Sequence, residues 1–267
     1  MGVTGKAIGA MAICATIAAI GYPTLMRARP QAERPVAMGA HCTGPLTGRT
    51  VTLSATTAGF GGLQYQAPLP LKRGEYLLTI DDGPNPGTTQ ELLGILDTNC
   101  IRATFFMVGK RAEAHPDLAR MIVAEGHGVG SHSWSHGNFS QITPDQVKEE
   151  IDKGDAAVFR AAYGSVPGGA HLFRVPGATG VPRNLPTAWT DYLKSRKLIL
   201  ASYDISPGDW QNPPPDTGFA NMFRNFPDRG VIVIHDWPSN TPELLRRTLK
   251  ELERRKATLV TLKVAGN

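Results

Sequence analysis

From Glu75 to the end of the chain, short apolar runs typical of buried strands alternate with amphipathic segments of helical length. This alternation predicts a parallel sheet, open or closed into a barrel, because parallel strands need crossover connections that are usually helices. Several helical segments have proline in the first turn, which is a common helix start signal. The predicted strands are Tyr76–Ile80, Ala103–Val108, Gly128–Ser131, His171–Phe173, Leu198–Tyr203, Val231–Ile234 and Thr258–Leu262, and the predicted helices lie near Thr88–Thr98, Pro116–Glu125, Pro144–Tyr163, Thr187–Arg196, Gly218–Phe226 and Pro242–Arg255.

Polar residues that can carry chemistry follow the predicted strands, always on the same side. In a barrel of parallel strands, the carboxyl ends of the strands share one face, and catalytic groups gather there. Structural polar residues scattered through a fold would not all fall on the same side of their strands. The residues concerned are Asp81 and Asp82 after the first strand, His132 and His136 after the third, Arg174 after the fourth, Asp204, Asp209 and Trp210 after the fifth, and His235 and Asp236 after the sixth.

Asp81 and Asp82 are adjacent carboxylates, and His132 and His136 are two imidazoles four residues apart. Adjacent carboxylates repel each other, and a bound cation offsets that repulsion. Two imidazoles and one carboxylate give a divalent metal such as zinc three ligands and leave one position open. The second carboxylate, Asp81, is then available as a general base. The competing interpretation is that Asp-Gly-Pro caps a turn and that the histidines lie on the surface.

His235, Arg174 and Asp209 each admit two interpretations. His235 ends an apolar run, so it is either a core residue or a group delivered into the site, where its pKa range suits a general acid. Arg174 and Asp209 either form a structural salt bridge with each other or orient the base and the acid. Trp210 and Trp237 belong either to the core or to a surface that faces a sugar.

Residues 1–26 are predicted to be a signal peptide or a membrane anchor. Lys6 precedes a stretch without charge, residues 7–26, as in a secretory leader. The same stretch is just long enough to span a bilayer, so an uncleaved anchor is the alternative. The sequence therefore predicts an exported protein, periplasmic, extracellular or anchored to the membrane.

Residues 27–73 are rich in Pro, Gly, Thr and Arg, and they predict a linker and a short β-rich extension with one strand at Thr50–Ser54. The main domain is predicted to span 74–267. Two cysteines remain outside the leader, Cys42 and Cys100, and they are either paired in a disulfide or both free.

The formal net charge is +5, but the way it is distributed argues against nucleic acid as a partner. Residues 1–40 contribute +3 of it, and the rest of the chain has 24 basic against 22 acidic residues. A domain so close to neutral, without a clustered basic face, lacks the electrostatic signature of a nucleic-acid-binding protein.

The motifs resemble those of the NodB-homology polysaccharide deacetylases, carbohydrate esterase family four, and they occur in the family's order from about Glu75 to the C-terminus. The first motif has Ile80 in place of the family's Phe, and two further motifs depart from the family pattern. Gly177 stands where the family has an aromatic residue, and Ser206 stands where many members have Asp. The five motifs appear as Thr79–Pro84, His132–His136, Arg174–Ala178, Ser206–Trp210 and Ile232–His235.

The resemblance implies an α/β fold, specifically a distorted (β/α)₇ barrel, and a role for each matching residue. Neither departure removes an implied ligand, base or acid, although Gly177 changes one wall of the substrate site. By resemblance, Asp81 is the base, His235 the acid, Arg174 positions Asp81, and Asp209 tunes His235; Asp82, His132 and His136 are metal ligands, and Gly177 and Trp210 contact substrate.

The resemblance also implies an activity, namely metal-dependent removal of acetyl groups from N-acetylglucosamine units of a cell-surface or extracellular glycan. The metal is expected to be divalent, zinc first, with cobalt or nickel also suited to these ligands. An N-acetylated glycan is the expected partner, with a membrane tether through residues 7–26 as a further expectation. Two alternatives are an O-acetyl esterase acting on xylan or peptidoglycan and a glycan-binding barrel without catalysis.

Overall fold

The computed structural model describes residues 1–2, 42–65, 67–177 and 185–266. The predicted leader, residues 7–26, and residues 27–41 of the predicted linker lie outside these ranges. Within them, no helix combines the length and the apolar character needed to cross a bilayer.

All nine strands of the described chain belong to one sheet, and every strand pair in it is parallel. Its central strands, Glu75–Asp81 and Thr104–Met107, are buried at every residue, because both faces of the parallel sheet are covered there. The seven predicted strands are confirmed, and two more lie in the N-terminal extension. The strands are β1 (Thr47–Leu53), β2 (Gly59–Phe60), β3 (Glu75–Asp81), β4 (Thr104–Met107), β5 (Gly128–Ser131), β6 (His171–Phe173), β7 (Leu198–Ala201), β8 (Gly230–His235) and β9 (Thr258–Val264).

The six predicted helices are also present, and one short helix was not predicted. That helix, α2, has only two buried residues, so its sequence carries no apolar period. The helices are α1 (Thr88–Thr98), α2 (Gly109–Ala114), α3 (Pro116–Ala124), α4 (Pro144–Tyr163), α5 (Thr187–Ser195), α6 (Pro215–Phe223) and α7 (Thr241–Arg254), with a 3₁₀ turn at Asp209–Gln211.

The sheet curves into a distorted barrel that is not regularly closed. Neighbouring strands follow the order β1-β9-β3-β4-β5-β6-β7-β2, and β8 pairs with β3. The chain just after β7 meets β8 through a single bridge between Ile205 and Ile232. The carboxyl ends of β3 to β8 therefore surround one region, which is where the sequence places its polar residues.

The N-terminal extension is part of this sheet. β1 pairs with β9, and β2 pairs with β7 at Gly59 and Phe60. The predicted strand Thr50–Ser54 is thus confirmed as β1, although its pairing partner is some 200 residues away. The two strands cover edges of the sheet that would otherwise expose unpaired backbone groups.

Cys42 and Cys100 form a disulfide, with 5.4 Å between their Cα atoms. Of the two alternatives that the sequence leaves open, pairing is therefore the correct one. Cys100 precedes β4, so the bond ties the start of the extension to the amino ends of the strands. It lies at the end of the sheet away from the polar cluster.

Candidate active site

Eight of the nine residues predicted to form the site line a single cavity of about 200 Å³. The ninth, Asp209, is fully buried behind the cavity wall. The cavity lies at the carboxyl ends of the strands, and Asp81 and His235 are register partners on the adjacent strands β3 and β8. The lining residues are Asp81, Asp82, His132, His136, Arg174, Val175, Gly177, Tyr203, Trp210, His235 and Trp237.

Asp82, His132 and His136 each place one ligand atom within 4.8 Å of the others. Asp82 Oδ1 lies 3.5 Å from His132 Nε2 and 3.2 Å from His136 Nε2. This oxygen is buried and has no hydrogen-bond partner among the described residues. A buried acceptor without a partner is costly, and a cation at this point satisfies it. The three side chains therefore fit a divalent metal, as the sequence predicts.

The tautomer of His132 is fixed by its surroundings. Its Nδ1 lies 2.9 Å from the backbone carbonyl of Arg174. A carbonyl only accepts hydrogen bonds, so Nδ1 carries the proton and Nε2 presents a lone pair towards Asp82. This is the arrangement that orients metal-binding histidines in general. Burial also lowers the pKa of His132, which favours the neutral ring that a metal requires.

Asp82 is held as an anion. Burial alone would raise its pKa, but the close contact with His136 and the charges of the surrounding histidines outweigh burial and lower the pKa far below its usual range. Its backbone has φ 76°, in the left-handed region, and Arg111 Nη1 donates to its carbonyl oxygen at 3.1 Å. The pKa of His136 is raised, because the close contact with the Asp82 carboxylate outweighs burial.

Asp81 is bound to Arg174, the most deeply buried cation of the described chain. Arg174 is 1% exposed, and its Nη1 donates to Asp81 Oδ1 at 2.6 Å. Nη1 also donates to the Thr79 hydroxyl, while Nε and Nη2 donate to the carbonyls of Ala201 and Ser202. The guanidinium is therefore fixed in place, and it occupies one oxygen of Asp81.

His235 is bound to Asp209 in a matching way. Asp209 Oδ1 lies 2.8 Å from His235 Nδ1, and Oδ2 accepts the backbone N–H of His235 at 2.7 Å. Burial lowers the pKa of His235, but the hydrogen bond to Asp209 and the charges of Asp81 and Asp82 outweigh it and raise the pKa to about 9. His235 is thus an imidazolium at neutral pH, with Nε2 left for the cavity.

These contacts decide between the alternatives that the sequence leaves open for Arg174 and Asp209. The two residues do not pair with each other; Arg174 binds Asp81, and Asp209 binds His235. One carboxylate is therefore held by an arginine, and one imidazole by a carboxylate, on neighbouring strands.

Three aromatic side chains line the cavity: Tyr203, Trp210 and Trp237. The two tryptophans are 39% and 43% exposed, so neither belongs to the core. Tyr203 was not singled out from the sequence, although its position after β7 repeats the strand-end pattern. Gly177 lies at the same cavity with φ 63° and adds no side chain to its wall.

Comparisons with known proteins identify the family to which the chain belongs. The family model described as polysaccharide deacetylase matches residues 70–189. A peptidoglycan-N-acetylglucosamine deacetylase of Bacillus cereus is 28% identical over 197 residues, covering 72% of this chain and 68% of the relative. A chitooligosaccharide deacetylase of Bradyrhizobium is 30% identical over 159 residues, covering 60% of this chain and 69% of the relative.

A solved structure extends the comparison to the fold. The family 4 carbohydrate esterase from Streptomyces lividans, in complex with acetate, is 30% identical with a TM-score of 0.58, covering 70% of this chain and 93% of the esterase. The chain therefore shares the α/β fold of this carbohydrate esterase. The chain belongs to the polysaccharide deacetylases with NodB homology, carbohydrate esterase family four. This family is metal-dependent and acts on acetylated glycans.

Proposed function

We propose that the protein removes acetyl groups from N-acetylglucosamine units of a cell-surface or extracellular glycan. The observation that carries this proposal is that one cavity brings together a carboxylate suited to accept a proton, an imidazole suited to donate one, and three candidate metal-ligand atoms. Asp81 is bound by Arg174, His235 is bound by Asp209, and both pairs border the cavity that Asp82 lines.

Asp82, His132 and His136 would hold the divalent metal, for which zinc is the first candidate. When bound there, the metal would supply Lewis acidity for amide hydrolysis. Their atoms suit this role because one imidazole is held neutral and the carboxylate anionic. Cobalt and nickel suit the same ligands.

Asp81 acts as the general base. Its Oδ1 is occupied by Arg174, so the other oxygen is left to take a proton from the water that attacks the acetyl carbonyl. The hydroxide adds to the carbonyl carbon, and the C–N bond to the sugar then breaks. The products are acetate and the free amine of the sugar.

His235 acts as the general acid. Its Nδ1 is tied to Asp209, so Nε2–H donates the proton that the departing amine nitrogen needs. An amine leaves far less readily than an alkoxide without a proton, so a strongly held imidazolium favours an amide over an ester substrate. N-deacetylation is therefore favoured over O-acetyl ester hydrolysis.

Gly177 and Trp210 are the proposed substrate contacts. The backbone N–H of Gly177 is available to stabilise the oxyanion. The exposed ring of Trp210 offers an apolar face against which a sugar can stack. Tyr203 and Trp237 extend this aromatic wall.

Acetate release from a panel of glycans tests the proposal. We expect release from chitooligosaccharides or peptidoglycan, loss of release after chelation, and recovery with added zinc. Release from acetylated xylan alone would support the O-acetyl esterase instead. Sugar binding without any acetate release would support a non-catalytic barrel.

Export of the protein is part of the proposal. It is supported by the uncharged stretch at residues 7–26 and by the disulfide between Cys42 and Cys100, since disulfides persist in oxidising compartments. Fusion of residues 1–41 to a reporter that is active only outside the cytoplasm tests it. An inactive fusion would contradict export.

A further inference from the structure

The loop that carries both histidines, residues 132–137, has a backbone that needs support. Ser133 and His136 have φ angles of 64° and 63°, in the left-handed region that favours glycine. Residues in such conformations persist only where surrounding contacts hold them there. The contacts that hold this loop are therefore part of how the ligands are placed.

Helix α4 supplies several of these contacts through Glu150. The backbone carbonyl of Glu150 accepts the N–H of Trp134 at 2.9 Å. Its carboxylate accepts the Ser135 N–H at 2.8 Å through Oε2 and the Ser135 hydroxyl at 2.6 Å through Oε1. Hydrogen bonds to an ionised acceptor are stronger than neutral ones. Glu150 thus binds two consecutive residues that lie between the two histidines.

One turn further along α4, Gly154 lets the helix approach the loop closely. A Cβ at this position would lie 2.3 Å from the carbonyl carbon of Ser133 and 2.5 Å from the backbone nitrogen of Trp134. The start of α2 also holds the loop, since the N–H groups of Gly109 and Lys110 donate to the carbonyls of these two residues, both at 2.9 Å. The loop is therefore held by both α2 and α4.

The two histidines depend on this loop to different degrees. The ring of His132 is buried and is oriented by the carbonyl of Arg174. The side chain of His136 is 39% exposed, and it is the backbone N–H of His136 that is held, by Ser133 Oγ at 3.0 Å. The direction of the His136 ring therefore follows the loop backbone, which Glu150 fixes.

We infer that Glu150 is a positioning residue for the metal site and acts on His136 through Ser135. The inference rests on the proposed function, because it requires that His136 is a metal ligand. Groups that orient ligands without touching the metal typically change its affinity by roughly ten- to a hundredfold when they are removed.

The test compares zinc affinity and Co²⁺ spectra of the full-length protein with those of Glu150→Ala, Glu150→Gln and Glu149→Gln. Glu149 is an exposed neighbour on the same helix, so its variant is the matched control. In competition titrations, Glu150→Ala is expected to bind zinc at least about tenfold more weakly. The visible Co²⁺ bands are expected to shift, because they report ligand geometry. Glu150→Gln keeps an acceptor oxygen and should recover part of the affinity.

Ser135→Ala provides a second test if Glu150→Ala does not fold, because it removes one hydroxyl from an exposed residue. A smaller loss of zinc affinity is expected for it. Wild-type affinity and spectrum in folded Glu150→Ala, or failing that in Ser135→Ala, would overturn the inference. If the wild-type protein itself binds no zinc, the proposed metal site fails as well; if it binds zinc and the variants match it, only the inference fails.

Discussion

Histidines at the two ends of the sheet are bound in different ways. At the amino ends, His171 has both ring nitrogens occupied, with Nδ1 2.9 Å from Asp155 and Nε2 3.1 Å from the carbonyl of Pro167. At the carboxyl ends, His132 and His235 have only Nδ1 held, the first by a backbone carbonyl and the second by Asp209.

The difference shows how one residue type serves structure at one end and chemistry at the other. A histidine with both nitrogens bound can neither accept a metal nor release a proton to a substrate without breaking a contact. A histidine held through Nδ1 has a fixed orientation and an available Nε2. The neighbouring carboxylates Asp81 and Asp82 also differ in which of their atoms have partners. Arg174 occupies one oxygen of Asp81, whereas one buried oxygen of Asp82 has no hydrogen-bond partner among the described residues.

The largest effect is expected when His132 and His171 are replaced in parallel. His132→Ala should lose the metal and all measurable acetate release, because one of three ligands is removed. His171→Ala should lower the thermal midpoint and leave the metal content of folded protein unchanged. Metal analysis and thermal denaturation check both. Full metal occupancy in His132→Ala would contradict the proposed difference in role between the histidines at the carboxyl ends and those at the amino ends of the strands.

A large kinetic effect is expected for Asp81→Asn. The amide cannot take the proton from water, so the rate of acetate release should fall on the order of a hundredfold or more. Steady-state kinetics with a chitooligosaccharide measure it. A rate near that of the wild type would show that the base lies elsewhere.

A shift in pH dependence is expected for Asp209→Asn. With the pKa of His235 raised from 6.5 to about 9, the acid form persists at neutral pH, and kcat/KM should fall only as pH rises through about 9. Without the Asp209 charge, the pKa of His235 should drop and the falling limb should move to lower pH. His235→Ala should lower turnover and flatten that limb. A pH–rate profile of Asp209→Asn identical to that of the wild type would contradict the assignment.

The smallest effect on catalysis is expected at the amino end. Cys42→Ser opens the disulfide, whose cysteines are 58 residues apart, and should destabilise the fold by roughly 2–4 kcal/mol. Acetate release at a temperature where the variant is folded should be unchanged. Loss of activity in folded Cys42→Ser would mean that the two ends of the sheet are coupled.

The central sheet was predictable because its buried strands are continuous apolar runs followed by polar residues. Helix α2 was not, since only Gly109 and Ala112 are buried in it. The two-residue strand β2 is too short to leave a pattern, and the pairing of β1 with β9 joins segments some 200 residues apart.

The candidate site was also predictable only in part from the sequence. The strand-end rule found eight of its nine residues, because each strand delivers its own polar group. It also named Asp204 and Asp236, which do not line the cavity, and Gly177 came from the resemblance alone. It could not tell whether Arg174 pairs with Asp81 or Asp209, since that depends on which strands are neighbours. The placement of β8 beside β3, which sets Asp81 against His235, is a property of the folded sheet alone. The support of the histidine loop by Glu150 was invisible for the same reason.

The most direct test of the account is the metal content of Asp81→Asn and Asp82→Asn, purified in parallel and measured by elemental analysis. In the proposed function, Asp81 and Asp82 have separate roles, because Arg174 binds Asp81 whereas the two histidines lie beside Asp82. We therefore expect that Asp81→Asn keeps its metal while turning over slowly, and that Asp82→Asn loses its metal. Retention of metal by Asp82→Asn together with loss by Asp81→Asn would contradict it.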